Sequence, residues 1–176
     1  IWGGGRTSFG EADPQKVLAL MQEYQISARL TFSNSLLREE HLQDQKCNAL
    51  CALFEENKGV QNGVIIHSDL LLDYLQKKYP ELYLVSSTTK VLTNFREFLE
   101  ETDREEFCYV VPDFRLNKRF EQLNQMNAQQ KAKVEFLCNE CCWFGCKDRK
   151  VCYETVSRKN LGEDCREHIC TAPGAE

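Results

Sequence analysis

Short apolar runs alternating with helical patterns recur along this chain, and that alternation restricts its fold more than any other feature. Ala28-Arg29-Leu30-Thr31-Phe32-Ser33, Gly63-Val64-Ile65-Ile66-His67, Leu82-Tyr83-Leu84-Val85-Ser86, Phe107-Cys108-Tyr109-Val110-Val111 and Lys133-Val134-Glu135-Phe136-Leu137 read as five strands. Helix signals separate them. Asp13 is an N-cap before Pro14, and Val17, Leu18, Leu20, Met21 and Tyr24 form an apolar face at helical spacing. From about Glu40, residues Cys47, Leu50, Cys51 and Phe54 fall on one stripe, which reads Cys47 and Cys51 as core packing. Ser68 caps a helix carrying Leu70, Leu71, Leu72, Tyr74 and Leu75, and Pro80 stops it. Further helices are expected from Thr93 to Glu101 and from about Leu116 to Met126.

Strands that are almost continuously apolar belong in a parallel sheet covered on both faces, which makes the class α/β. Right-handed βα units build either an open doubly wound sheet or part of a barrel. No glycine-rich dinucleotide fingerprint follows any strand. Polar residues do cluster at the strand C-terminal ends: Ser33 and Asn34, His67 and Ser68, Ser86 to Lys90, Asp113, and Asn139 with Glu140. In a barrel these ends converge on one mouth, where catalytic groups sit, although helix capping accounts for Ser68 equally well. A complete barrel takes about 250 residues, and this chain has 176. The expectation is an incomplete (β/α) TIM-type barrel of about five to six βα units over residues 1–161, lacking its first strand and last two, with an irregular Cys-containing tail at 162–176.

Charge removes one class of function. Lys and Arg number 22 against 27 Asp and Glu, for a net charge of −5 with the basic residues scattered, so nucleic acid is not an expected partner. No apolar run approaches the length that spans a bilayer. The chain opens on Ile1 without a charged and apolar leader pattern, and a mid-protein start or processed fragment is expected. Ten cysteines are present, seven of them between Cys138 and Cys170. In a chain with good helix and strand patterns, this favours a cytoplasmic protein with reduced thiols and a metal or cluster site over a secreted disulfide scaffold.

The densest chemistry follows the last expected strand. Three residues separate Cys142 from Cys146 and four separate Cys165 from Cys170, and these closely spaced pairs could supply four thiolates to zinc or an iron–sulfur cluster. Cys152 and His168 are spare candidates. The spacing of radical enzymes is not met, because residue 149 is arginine. Disulfides within either pair, or reduced and packed thiols, remain open. At the mouth, Glu140 and Asp113 are candidate acid and base groups, and His67 could move a proton or bind metal. Arg6, after three glycines, could clamp an anion, with Asn34, Ser87, Thr88, Lys90 and Asn139 as further substrate contacts.

Ile1-Trp2-Gly3-Gly4-Gly5-Arg6, Leu30-Thr31-Phe32-Ser33-Asn34, Val85-Ser86-Ser87-Thr88-Thr89-Lys90, and Leu137-Cys138-Asn139-Glu140 with Cys142, Cys146, Arg149 and Tyr153 carry a resemblance. Over residues 1–161 the chain resembles uncharacterised bacterial barrel proteins related to the collagenase-like peptidase family, which includes iron–sulfur accessory proteins for tRNA and ubiquinone hydroxylation. The resemblance implies a barrel with its site at the strand C-terminal ends and a four-iron–four-sulfur cluster held partly by Cys142 and Cys146, with Cys165 a weaker third. Cys152 stands where that group has a histidine. No zinc-protease motif, nucleophile elbow or Cys–His pair is present.

These readings lead to an enzyme, or enzyme subunit, acting on a small molecule or peptide with a cysteine-bound iron–sulfur or metal site. The alternative is a non-catalytic module that binds a peptide or small anion, with structural zinc or no metal. A truncated barrel also implies a homo-oligomer or a partner chain to cover the open sheet.

Overall fold

The computed structural model describes residues 1–4, 13–56 and 59–173. Its centre is a four-stranded parallel sheet of β1 (Arg29–Phe32), β2 (Gly63–Ile66), β3 (Tyr83–Ser86) and β4 (Phe107–Val110), in sequence order. Neighbouring strands in chain order, each reached by a helical crossover, make a simple βα progression. The helices are α1 (Pro14–Glu23), α2 (Gln45–Glu56), α3 (Asp69–Lys78), α4 (Phe95–Asp103), α5 (Phe120–Asn124), α6 (Ala128–Lys133) and α7 (Arg149–Asn160). None is long and apolar enough to cross a membrane among the described residues.

Side chains on one face of the sheet build the core. Phe32, Val64, Ile66 and Leu84 join Cys47, Cys51 and Phe54 of α2, Leu71, Leu72 and Leu75 of α3, and Phe98 of α4 in one buried cluster. Each fully buried leucine of this kind contributes about 1.5–3 kcal/mol. Cys47 and Cys51 therefore pack as expected, and burial pushes the Cys51 thiol up to about 12. Ser68 caps α3 and Asp13 caps α1, each hydroxyl or carboxylate accepting an N–H from the first turn.

The opposite face is more polar than the sequence suggests. Arg29, Gly63 and Tyr83 lie side by side in register. Because Gly63 has no side chain, Arg29 reaches across β2 to stack on Tyr83 and Tyr109, 5.2 and 4.9 Å from the ring centres. Its guanidinium forks onto both carboxylate oxygens of Glu135, and its Nε donates to the Tyr83 hydroxyl at 2.7 Å. Thr31 on this face is exposed. One face is thus apolar, while the other carries a guanidinium and two tyrosines at its N-terminal end and the fully buried Val85 further along.

Both edges carry a further extended segment held by few bonds. Next to β1, Trp2 accepts the Asn34 amide through its carbonyl, at 2.9 Å. The Trp2 indole is fully buried against Phe32 and Tyr74, and its Nε1 donates to the His41 carbonyl. Gly4 is required there, since a Cβ would sit 2.3 Å from the Ser33 carbonyl oxygen. Beyond β4, the fifth expected strand is reduced to one parallel bridge between Val110 and Val134, with the Glu135 amide on the Val110 carbonyl. Lys133 ends α6 instead of opening a strand, and Phe136 is 41% exposed because nothing pairs with its outer side among the described residues.

Two helical expectations change, and one further helix joins them. Only Leu18 of the α1 face is buried, while Leu20 and Tyr24 are exposed. The stretch from Leu116 to Met126 divides into a 3-10 turn at Phe114–Leu116 and the short α5. Helix α7 has no apolar stripe: its buried residues are Arg149, Tyr153 and Ser157, one every fourth position. It lies across the C-terminal ends of the strands. Arg149 at its start bonds Asp113 beyond β4, the Ser157 carbonyl accepts from Asn34 beyond β1, and Asn160 donates to the Gly3 carbonyl.

Candidate functional site

The loop after β4 places Asp113 as the cap of its 3-10 turn, where the carboxylate accepts the Arg115 backbone N–H at 3.0 Å. The same carboxylate receives the Arg115 side chain through Nε at 2.6 Å and Nη2 at 3.0 Å, and Arg149 Nη1 at 2.9 Å. Asp113 is 0% exposed and Arg149 1%. Burial alone would lift the Asp113 carboxyl, but the Arg115 hydrogen bonds and the two guanidinium charges outweigh it and hold it below the usual carboxylate range.

Arg149 Nη2 turns to the other expected carboxylate, Glu140, in a short ion pair. Glu140 sits in the loop before α7 and also accepts the Cys142 backbone N–H at 3.1 Å. The Tyr153 hydroxyl, one helical turn on, lies 3.0 Å from Nη2, and Thr88 offers its hydroxyl at 3.4 Å. The Phe114 ring faces the guanidinium carbon at 4.8 Å. Burial works against the Arg149 charge; Tyr153, Glu140 and Asp113 reverse that and raise its pKa. A buried guanidinium held by two carboxylates, two hydroxyls and a ring is the centre of the mouth.

A second, neutral cluster stands beside it at the ends of β1, β2 and β3. His67 Nδ1 meets the Thr89 hydroxyl at 2.9 Å, and Thr89 donates to Ser87 Oγ at 3.0 Å and toward the Ser33 carbonyl at 3.5 Å. Which partner donates in the His67–Thr89 bond follows the imidazole tautomer. Burial, then the Lys90 and Lys150 charges, push the imidazole down to about 4, so it is neutral at pH 7. The Ser33 hydroxyl is buried nearby without a hydrogen-bond partner among the described residues.

The remaining expected site residues are dispersed. Ser87 caps the turn at Thr88–Lys90, and Thr88 donates to the Pro112 carbonyl. Asn34 is wholly buried, its amide nitrogen on the Ile1 and Ser157 carbonyls. Lys90 is drawn sideways into an ion pair with the buried Glu101, over the Phe107 ring. Asn139 is exposed. Arg6 lies outside the described residues.

None of the ten cysteines is joined in a disulfide. The Cys146 carbonyl accepts Arg115 Nη1 at 2.8 Å, and Cys165 Sγ points to the Thr155 carbonyl, while Cys170 is exposed. Among the described residues no group of three or more His, Cys, Asp or Glu side chains is gathered as metal ligands. Arg115 and Phe114 are the functional neighbours that sequence reasoning missed. Their position directly after Asp113 in a strand-end turn was the available signal.

No protein-family profile matches this chain, and no curated protein matches it. Among solved structures it superposes on the U32 peptidase Mk0906 with a TM-score of 0.60, at 14% sequence identity, over 87% of this chain and 62% of that one. The chain thus spans less than two thirds of the peptidase's length, and what the likeness establishes is a shared α/β fold, with four parallel strands in one sheet here.

Proposed function

We propose that this chain is an incomplete (β/α) barrel of the collagenase-like peptidase superfamily, and an enzyme or enzyme subunit that acts on a peptide or small molecule at the strand C-terminal ends. The observation that carries this reading is the buried Asp113–Arg149–Glu140 chain of charges at those ends, in a fold shared with a U32 peptidase. Burying three charges is costly unless they are mutually satisfied, and sites of function are where folds concentrate such groups.

The roles follow from the local chemistry. Asp113, ionised and bound by two guanidinium groups, is a positioning residue for Arg149 and Arg115. His67 is neutral at pH 7 and can take a proton, but a pKa pushed down to about 4 makes it a weak base there. Ser87 and Thr89 orient its ring. A bacterial, cytoplasmic setting belongs to the same reading.

A non-catalytic module for a peptide or small anion is the second reading, favoured by one observation: both carboxylates at the mouth are already paired with arginine. One set of measurements separates the two. Protein purified without oxygen is analysed for iron, sulfide and zinc, then incubated with gelatin-derived peptides while new amino termini are counted. Cleavage by the wild type that His67→Ala abolishes supports the enzyme. Folded, metal-free or zinc-loaded protein that cleaves nothing overturns it in favour of the module. Bound iron and sulfide that survive in the wild type and fall in Cys142→Ser would support a cluster held by that cysteine.

A further inference from the structure

We propose that the pocket holding Arg149 is a receptor for a guanidinium group, that α7 fills it with a side chain of its own, and that the ligand of this mouth is an arginine-bearing peptide which displaces the helix. The inference rests on reading the strand C-terminal ends as the ligand site.

The walls of the pocket belong to other elements. Asp113 takes one terminal nitrogen of the guanidinium, Glu140 takes the other, the Phe114 ring faces its plane at 4.8 Å, and the Thr88 hydroxyl lies at 3.4 Å. A planar cation with forked N–H groups satisfies all of these together, and an ammonium does not.

The helix itself is poorly suited to sit elsewhere. Its first turn carries Arg149 and Lys150, cations at the positive end of a helix dipole, and Asp148 makes no side-chain capping bond. What fixes its start is the pocket. The rest of its buried face is Tyr153, with its hydroxyl on Arg149 itself, and Ser157, bonded by Ser35 and by Asn34 through its carbonyl, while Val151 is 52% exposed. Polar contacts of this kind exchange for water or ligand more readily than a packed apolar face. The chain holds its own arginine where a ligand's arginine would go.

The test is calorimetric titration of N-acetyl-Gly-Arg-Gly-amide, with its citrulline and lysine counterparts, into wild type and Arg149→Ala. The arginine peptide is expected to bind Arg149→Ala at least tenfold more tightly than wild type, and at least tenfold more tightly than the citrulline or lysine peptide binds that variant. In wild type, saturating arginine peptide should speed amide exchange across residues 149–160. If Arg149→Ala does not fold, Tyr153→Phe loosens the helix with every wall of the pocket in place, and should bind the arginine peptide more tightly than wild type. A folded variant that binds none of the peptides, or does not prefer arginine to citrulline, overturns the proposal. Peptide binding without hydrolysis counts against the enzyme reading alone. Hydrolysis of arginine-free peptides without arginine preference counts against the receptor alone.

Discussion

Asp113 and Arg149 are separated by 36 residues in the chain, yet their side chains meet at 2.9 Å with almost no exposure on either partner. The contact joins the loop after β4 to the first turn of α7, and it is the closest link between the sheet and the helix that crosses its mouth.

Removing that carboxylate should be expensive. Asp113→Asn leaves the buried Arg149 and the half-buried Arg115 against a neutral amide, and truncating one partner of a buried pair typically costs about 3–5 kcal/mol. Urea unfolding should show this loss at neutral pH. Because the folded carboxyl lies below the ordinary 3.8, its contribution is complete above that value and disappears as pH falls further. The wild type and Asp113→Asn should therefore converge in stability only in strong acid.

His67 gives a second pH signature. Its folded pKa is about 4 against an ordinary 6.5, so between these values the unfolded chain holds a proton that the folded chain does not. Stability should fall as pH drops through that window, by up to about 1.4 kcal/mol per pH unit. His67→Gln should remove the slope. An imidazole resonance of the native protein with its midpoint near 4 would agree, and one near 6.5 would contradict the buried Thr89 contact.

Gly63→Ala tests the reach of Arg29 across the sheet. A Cβ there would lie 2.4 Å from the Tyr83 ring, so the ring must move and carry the Arg29–Glu135 pair with it. Overpacking of this kind costs about 1–3 kcal/mol. The penalty should shrink in a Tyr83→Ala background, measured as a coupling between the two substitutions.

The thiols should divide into two kinetic classes. Cys108, Cys138, Cys141 and Cys170 are exposed, while Cys47 and Cys51 are buried and burial raises both of their pKa values. Brief treatment of native protein with iodoacetamide, read by peptide mass spectrometry, should label the first set. Cys47 and Cys51 should be modified only after unfolding.

Strands β1 to β4 stand within a residue or two of where the apolar runs place them, because β-branched and aromatic residues bounded by polar ends leave little ambiguity. Lys133 to Leu137 has the same look, but its outer edge meets no neighbour among the described residues and only Val134 bridges. The α1 face holds only in part for a related reason: Val17, Leu20 and Tyr24 are periodic but exposed, while Leu18 is buried and Met21 packs against the core. Helix α7 escaped hydrophobic periodicity altogether, since its buried face is Arg149, Tyr153 and Ser157.

At the mouth, Asp113 and Glu140 were legible as carboxylates at strand ends. That one arginine joins them was not, because their meeting is decided by where α7 lies, and no local pattern encodes it. Lys90 shows the converse. Its place after β3 suggested a ligand contact, but Glu101 on α4 claims it.

The polar underside of α7 also sets how its departure responds to temperature. Water gains heat capacity around newly wetted apolar surface, about +0.45 cal/K/mol per Å², and loses it around polar surface, about −0.26. A helix that uncovers a guanidinium, a phenol with its hydroxyl and a serine, with Val151 already wet, exposes both kinds and the terms largely cancel. Its opening should follow a nearly straight van't Hoff line, while melting of the leucine-rich core beneath the sheet bends.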